Sequence, residues 1–190
     1  MRQFQETPTS LLTQCRNNLP EGWEKLRVLY GRLILYWCRQ ANISTEDQYD
    51  VYQEVMLSLV KGIHSFRKEN PDDKFRKWLR TVTNSRIADF YRQHANDPRY
   101  LESLSRLTLE NEEEADPAAR IEENNILFQQ LTELLKVHFS PQTIEAFRRM
   151  NQRGATSEEV ARELGMTATA VRAAKKRVFD QIKKQFGELL

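Results

Sequence analysis

Thr167, Thr169, Arg172, Lys175, Lys176 and Arg177 crowd into one short stretch near the end of the chain. Hydroxyls at such positions hydrogen-bond phosphates or base edges, and cations pair with phosphates and guanine edges. A helix lying in a DNA major groove offers this chemistry. The surrounding sequence, SEEVARELGMTATAVRAAKKR from Ser157 to Arg177, predicts how the residues are held. Ser157 can cap a helix whose first turn carries Glu158 and Glu159, where carboxylates suit the positive helix end. Val160, Ala161 and Leu164 share its inner face. Gly165 supplies the positive φ that a tight turn needs. Thr167 caps a second helix with Val171, Ala174 and Val178 facing inward and the hydroxyls and cations facing outward. A small Ala161, the turn at Gly165 and an apolar Val171 make a helix-turn-helix pattern. The plainer account is a helical hairpin with a solvated basic face; the caps together with the basic outer helix favour DNA binding.

Two further sets of residues have spacing that means something. FRKWLRTVTNSRIADFYRQ, from Phe75 to Gln93, interleaves aromatic rings with Arg76, Lys77, Arg80, Arg86 and Arg92. Bases of single-stranded DNA stack on aromatics while cations follow the backbone. Phe75, Trp78, Leu79 and Val82 keep helical spacing, however, and are expected in the core. Asp50, Gln53 and Glu54 fall on one face of a helix, opposite its apolar stripe, which suits water or a partner. No catalytic residue, metal site or cofactor is expected. His64, His94 and His138 stand far apart with no nucleophile or metal partner at motif spacing. Cys15 and Cys38 are 23 residues apart with no CxxC, and read as buried or idle thiols.

The elements that must position these residues are helical. A short helix is expected over Thr9–Gln14, capped by Thr9 or Ser10. Trp23 is expected to open the next, with Leu26, Leu29, Tyr30, Leu33, Ile34 and Trp37 repeating at three and four residues up to about Gln40. A third runs from Ser44 or Thr45 to Lys61 with an apolar stripe of Val51, Tyr52, Val55, Met56, Leu59 and Val60, closed by Gly62. A polar loop follows, and Asp72 or Asp73 caps a helix over 73–93. Asp97-Pro98 and Asp116-Pro117 read as breakers in a flexible acidic linker with a helical turn near 100–108. A helix over Ile126–Phe139 and one from Ser140-Pro141 to Gly154 precede the helix-turn-helix. Six Gly and six Pro in 190 residues are few for an all-β protein. The fold class expected is all-α, with small helical domains at 1–93 and 125–190 joined by a linker at 94–124.

The net charge of +2 conceals an asymmetry. Residues 1–92 hold 15 Lys and Arg against 11 Asp and Glu, residues 93–125 hold 3 against 9, and residues 126–190 hold 11 against 7. Two basic blocks suit a polyanion, and the acidic link between them is expected to stay off it. MRQFQETPTS has no apolar signal core, and no window of 18 apolar residues exists, so no membrane span is expected and the cytoplasm is the expected compartment.

Taken in order, DVYQEVMLSLVKGIHSFRK, FRKWLRTVTNSRIADFYRQ and the terminal helix-turn-helix resemble a bacterial RNA polymerase sigma factor, of the short extracytoplasmic-function (ECF) group of the sigma-70 family. The resemblance covers about 25–92 and 126–190. It implies a region 2 domain and a region 4 domain. Asp50, Gln53, Glu54 and Leu57 lie where the family grips the β′ clamp helices of core RNA polymerase. Arg67, Lys68, Lys74, Arg76, Lys77, Arg80, Asn84, Ser85 and Arg86 match the part that opens the −10 element of promoter DNA and holds a flipped base. Thr167, Thr169, Arg172, Lys175, Lys176 and Arg177 match positions that read or clamp the −35 element, in a domain that also touches the β flap. An anti-sigma factor is a further partner the family allows, though no residue identifies one. In the family an Asn usually stands seven residues after the Trp and helps form the base pocket. Here Ser85 stands there and Asn84 comes one residue early, so the base pocket either uses Asn84 or carries a different −10 preference. Ala173-Ala174 replace a common Ser-Arg. Two other classes fit parts of the pattern. A helix-turn-helix transcriptional regulator would bind promoters without being a polymerase subunit. A DNA recombinase would need a nucleophile and acidic metal ligands in a folded domain, whereas the dense acidic run lies in the linker.

Overall fold

Ser10 accepts a hydrogen bond from the Thr13 backbone N–H and starts α1 (Leu11–Arg16). Pro20, whose missing N–H is no loss at the first helical position, starts α2 (Pro20–Gln40). This is three residues ahead of the expected start at Trp23, because proline is read there as an opener rather than a breaker. A turn held by Ser44, whose hydroxyl donates to Asp47 Oδ2 at 2.6 Å, delays α3 (Gln48–Gly62) beyond the expected Ser44 or Thr45. Helix α4 (Phe75–Gln93) follows, then α5 (Pro117–Leu135), α6 (Pro141–Arg149), α7 (Ser157–Leu164) and α8 (Ala168–Phe186). The structure, a computed structural model, describes residues 10–67, 74–97, 100, 116–152, 154–187 and 189, which form eight α-helices and no strand. The expected caps Asp72 and Asp73, the site candidate Lys68, Pro98 and the 100–108 turn apart from Tyr100 lie outside the described residues.

Three further boundaries differ from expectation, each for a local reason. Asp116-Pro117 is a start signal rather than a breaker: the Asp116 side chain accepts from the Ala118 N–H, and Pro117 takes the first helical position. The helix expected from Ile126 to Phe139 therefore begins nine residues sooner and ends at Leu135. Helix α6 ends at Arg149, and Gly154, at φ +81°, belongs to the following turn rather than to the helix end. The cap of α7 is Thr156, not Ser157.

Packing centres on α2, which lies against α1, α3, α4 and α5, while α6 and α7 pack on α8. Leu26, Leu29, Tyr30, Leu33, Ile34 and Trp37 are all buried along α2, as the three-and-four spacing predicts. A hydrophobic side chain fully removed from water stabilises by about 1.5–3 kcal/mol, so this row anchors the fold. The apolar cluster begun here continues through Leu131, Leu135, Phe147, Ile182 and Phe186, so the C-terminal helices share it. A smaller cluster of Ala146, Val160, Ala161, Val171 and Ala174 lies between α6, α7 and α8. Cys15 and Cys38 are buried and unpaired, and burial pushes both thiols up to about 12. Among the described residues no helix is long and apolar enough to cross a membrane.

Candidate nucleic-acid and partner interface

The turn between α7 and α8 is fixed from both sides. Thr156 and Glu159 form a capping box: the Thr156 hydroxyl accepts from the Glu159 N–H at 3.2 Å, and the Glu159 carboxylate accepts from the Thr156 N–H at 3.1 Å. Ser157, the expected cap, is instead buried one residue inside the helix. Gly165 takes the left-handed conformation at φ +62°, and Met166 N–H closes onto the Ala161 carbonyl at 2.9 Å. The Thr167 hydroxyl then accepts from the Ala170 N–H at 3.1 Å and starts α8. Val171, Ala174 and Val178 are fully buried, which turns Thr169, Arg172, Lys176 and Arg177 outward. Arg172 donates to the Ser157 hydroxyl at 2.8 Å and to Glu158 at 3.1 Å. Lys175 departs from the expected outer face. One residue from buried Ala174, it is half-buried and donates to the Met150 carbonyl at 3.3 Å.

Helix α4 buries Phe75, Leu79, Thr83, Ile87, Phe90 and Tyr91. Tyr30, Phe66, Phe75 and Trp78 form an aromatic cluster with ring centroids 5.2–5.5 Å apart. This confirms Phe75 and Trp78 as packing residues. Lys77, Asn84 and Ser85 are exposed, as are Arg67 and Lys74. Ser85 sits seven residues after Trp78, on the same line of the helix, whereas Asn84 continues the line of Lys77. Arg86 pairs with Asp89 at 2.8 Å. Arg76 and Arg80 turn the other way, toward α5. Arg80 pairs with Glu123, and Arg76 donates to Asn124 Oδ1 at 2.7 Å. A groove of about 430 Å³ runs beside them, lined by Tyr30, Lys74, Arg76, Asn124 and Leu131 among others.

The third candidate face is on α3. Val51, Val55 and Leu59 are buried, and Asp50, Gln53, Glu54 and Leu57 are exposed together on the opposite side. Val60, expected in the apolar stripe, is 46% exposed, and Tyr49 and Leu57 are exposed at 59% and 52%. The face is thus mixed, with large apolar groups beside the acids, which suits a protein partner better than plain water. The i, i+4, i+8 spacing of Tyr49, Gln53 and Leu57 is the signal that carries it.

The N-terminal segment, for which the sequence suggests no role, also reaches this region. Leu11, Leu12 and Cys15 are buried, and Arg16 donates to the Phe66 carbonyl at 2.6 Å, which ties α1 to the residues that follow α3.

Residues 26–96 match the family model described as sigma-70 region 2. No curated protein and no solved structure matches the chain. The matched stretch holds the exposed face of α3 and the whole of α4. That stretch is therefore similar to region 2 of sigma-70 family sigma factors, which have a role in promoter recognition by RNA polymerase. Proteins of that family are transcription initiation factors rather than enzymes, and they bind core polymerase and promoter DNA.

Proposed function

We propose that this chain is a sigma factor of the ECF group, acting in the cytoplasm as the promoter-recognition subunit of RNA polymerase. The observation that carries this reading is the match of residues 26–96 to sigma-70 region 2. In this reading residues 1–93 form region 2, 94–124 connect, and 125–190 form region 4. Asp50, Gln53, Glu54 and Leu57, with Tyr49 and Val60 beside them, dock on the β′ clamp helices. The loop ending at Lys74 and the exposed face of α4, including Lys77, Asn84 and Ser85, engage the −10 element. Arg76 and Arg80 belong to the same set. Helices α7 and α8 form a helix-turn-helix, and Thr169, Arg172, Lys176 and Arg177 meet the −35 element. Unstacking a base costs a few kcal/mol, and a pocket that holds it extruded offsets part of that.

The test is retention on immobilised core polymerase. Gln53→Ala combined with Glu54→Arg is expected to weaken binding about tenfold or more, with circular dichroism unchanged. Those side chains are exposed, so the fold has little stake in them. Equal retention of variant and wild-type protein would overturn the assignment of α3.

A further inference from the structure

Arg16 ends α1, a helix outside the stretch that matches region 2. Its place is set by a close crossing. A Cβ at Gly22 on α2 would stand 2.6 Å from Gln14 Cβ and 3.0 Å from the Cys15 backbone N, so glycine is what lets α1 lie this near α2. From there the half-buried Arg16 side chain reaches a residue 50 positions further on, and its Nη2 donates to the Phe66 carbonyl at 2.6 Å. Phe66 belongs to no helix, and among the described residues no backbone N–H reaches that carbonyl. The guanidinium therefore fixes the peptide there. Arg16 Nε is buried and has no hydrogen-bond partner among the described residues. A buried donor left unpaired is costly, and an apolar side chain of similar length would avoid that cost. Stability alone does not account for an arginine at this position.

Phe66 passes the constraint on. Its buried ring meets Phe75 edge-on at 5.3 Å and lies 5.5 Å from Trp78, while Phe75 lies 5.2 Å from Tyr30 of α2. Phe66 precedes Arg67 and Phe75 follows Lys74, and both cations are exposed. One aromatic contact thus sets where the two cations stand relative to each other and to the first turn of α4. We infer that Arg16 is a positioning residue for recognition of the −10 element. Resting on the reading above, it acts through the Phe66 carbonyl and the rings of Phe66, Phe75 and Trp78 to hold Arg67 and Lys74 in place for promoter DNA. Phosphate contacts carry no sequence information themselves, but they set the register in which bases are read. The N-terminal helix then belongs to the promoter-reading apparatus instead of merely enlarging the core.

Full-length wild type, Arg16→Met and Arg16→Lys are compared with saturating core polymerase. The templates are a cognate promoter, found by screening genomic fragments, and copies of it substituted within the −10 element. The quantity read is the ratio of transcript from the intact promoter to transcript from the substituted ones. A smaller folded fraction scales every promoter alike and leaves that ratio unchanged, whereas a misplaced register lowers it. Arg16→Met keeps the apolar stem and removes the donor, and is expected to lower the ratio about fivefold. Arg16→Lys is expected to fall between, because an ammonium still donates but without the planar fork. Retention on immobilised core polymerase is expected to stay at the wild-type level, since the α3 face is untouched. Where Arg16→Met does not fold, Phe66→Leu, which removes the ring contacts and leaves the carbonyl, is expected to lower the ratio in the same sense. An unchanged ratio in the folded variants, with transcription either full or uniformly reduced, overturns the inference and leaves the sigma-factor reading standing. If wild type gives no chain-dependent transcript from any fragment, the sigma-factor reading fails and the inference fails with it.

Discussion

On α8 the Lys176 side chain is 82% exposed and its partner, Asp180, lies one turn along the same helix at 3.5 Å. On α4 the Arg80 side chain is 27% exposed and its partner is a buried carboxylate from another helix. Both helices are rich in cations, yet the two sets are not equally available. An exposed pair on one helix is weak and screened by salt, so the charges of α8 are ready for a polyanion. The charges at 76 and 80 are committed to an internal acid. Availability is therefore decided by tertiary partners rather than by the cation count of a helix.

The largest expected effect tests what lies beneath the two helices. Leu79, fully buried under α4, belongs to the large cluster. Leu79→Ala is expected to lower stability by about 2–5 kcal/mol, read as a shift in urea midpoint. Val171→Ala, in the small cluster under α8, is expected to cost less. Equal losses would remove the contrast between a large and a small core.

Next comes the exposed basic helix. Arg172→Ala is expected to weaken transcription from promoters with a −35 element by about 1–3 kcal/mol of contact energy, and to leave promoters without one unchanged. Because Glu158 shares that guanidinium, Glu158→Gln is expected to act in the opposite direction. Uniform losses across both promoter types would deny α8 a sequence-reading role.

Gly165 tests the turn. An added Cβ meets nothing within 4 Å there, so the penalty is conformational, from φ +62°. Gly165→Ala is expected to cost about 1–2 kcal/mol, and an unchanged thermal midpoint would contradict it.

The smallest effect is electrostatic. Hydrogen bonds from Arg148 and then Arg149 hold the Glu145 carboxyl down to about 2. A depressed folded value contributes stability above the ordinary carboxylate range, and this contribution is lost as pH falls toward 2. The pair is largely solvent-screened, so the difference between wild type and Glu145→Gln is expected to stay below about 1 kcal/mol. It should be present at pH 6 and shrink toward pH 2; a constant difference would refute the linkage.

Periodicity in the sequence made α2 and the α7–α8 turn readable, because local rules and burial agree there. Leu26 to Trp37 repeat at helical spacing, and only glycine sits easily at position 165. Proline is ambiguous by nature: at 20 and 117 it opens helices, and only the residues around it, such as the Asp116 cap, decide between opener and breaker. Val60 and Lys175 show a second limit. Each lies at the edge of a helical stripe, where one residue's rotation separates buried from exposed. Glu123 shows a third. Nothing in its neighbourhood marks it as buried, because Trp37, Arg76 and Arg80 reach it from distant parts of the chain.

Run-off transcription with purified core polymerase tests the central claim most directly. Adding this chain is expected to produce a discrete transcript from a cognate promoter, found by screening genomic fragments, that core enzyme alone does not make. The Gln53→Ala, Glu54→Arg variant is expected to abolish it. If no fragment yields a chain-dependent transcript while the chain is folded, the account is contradicted.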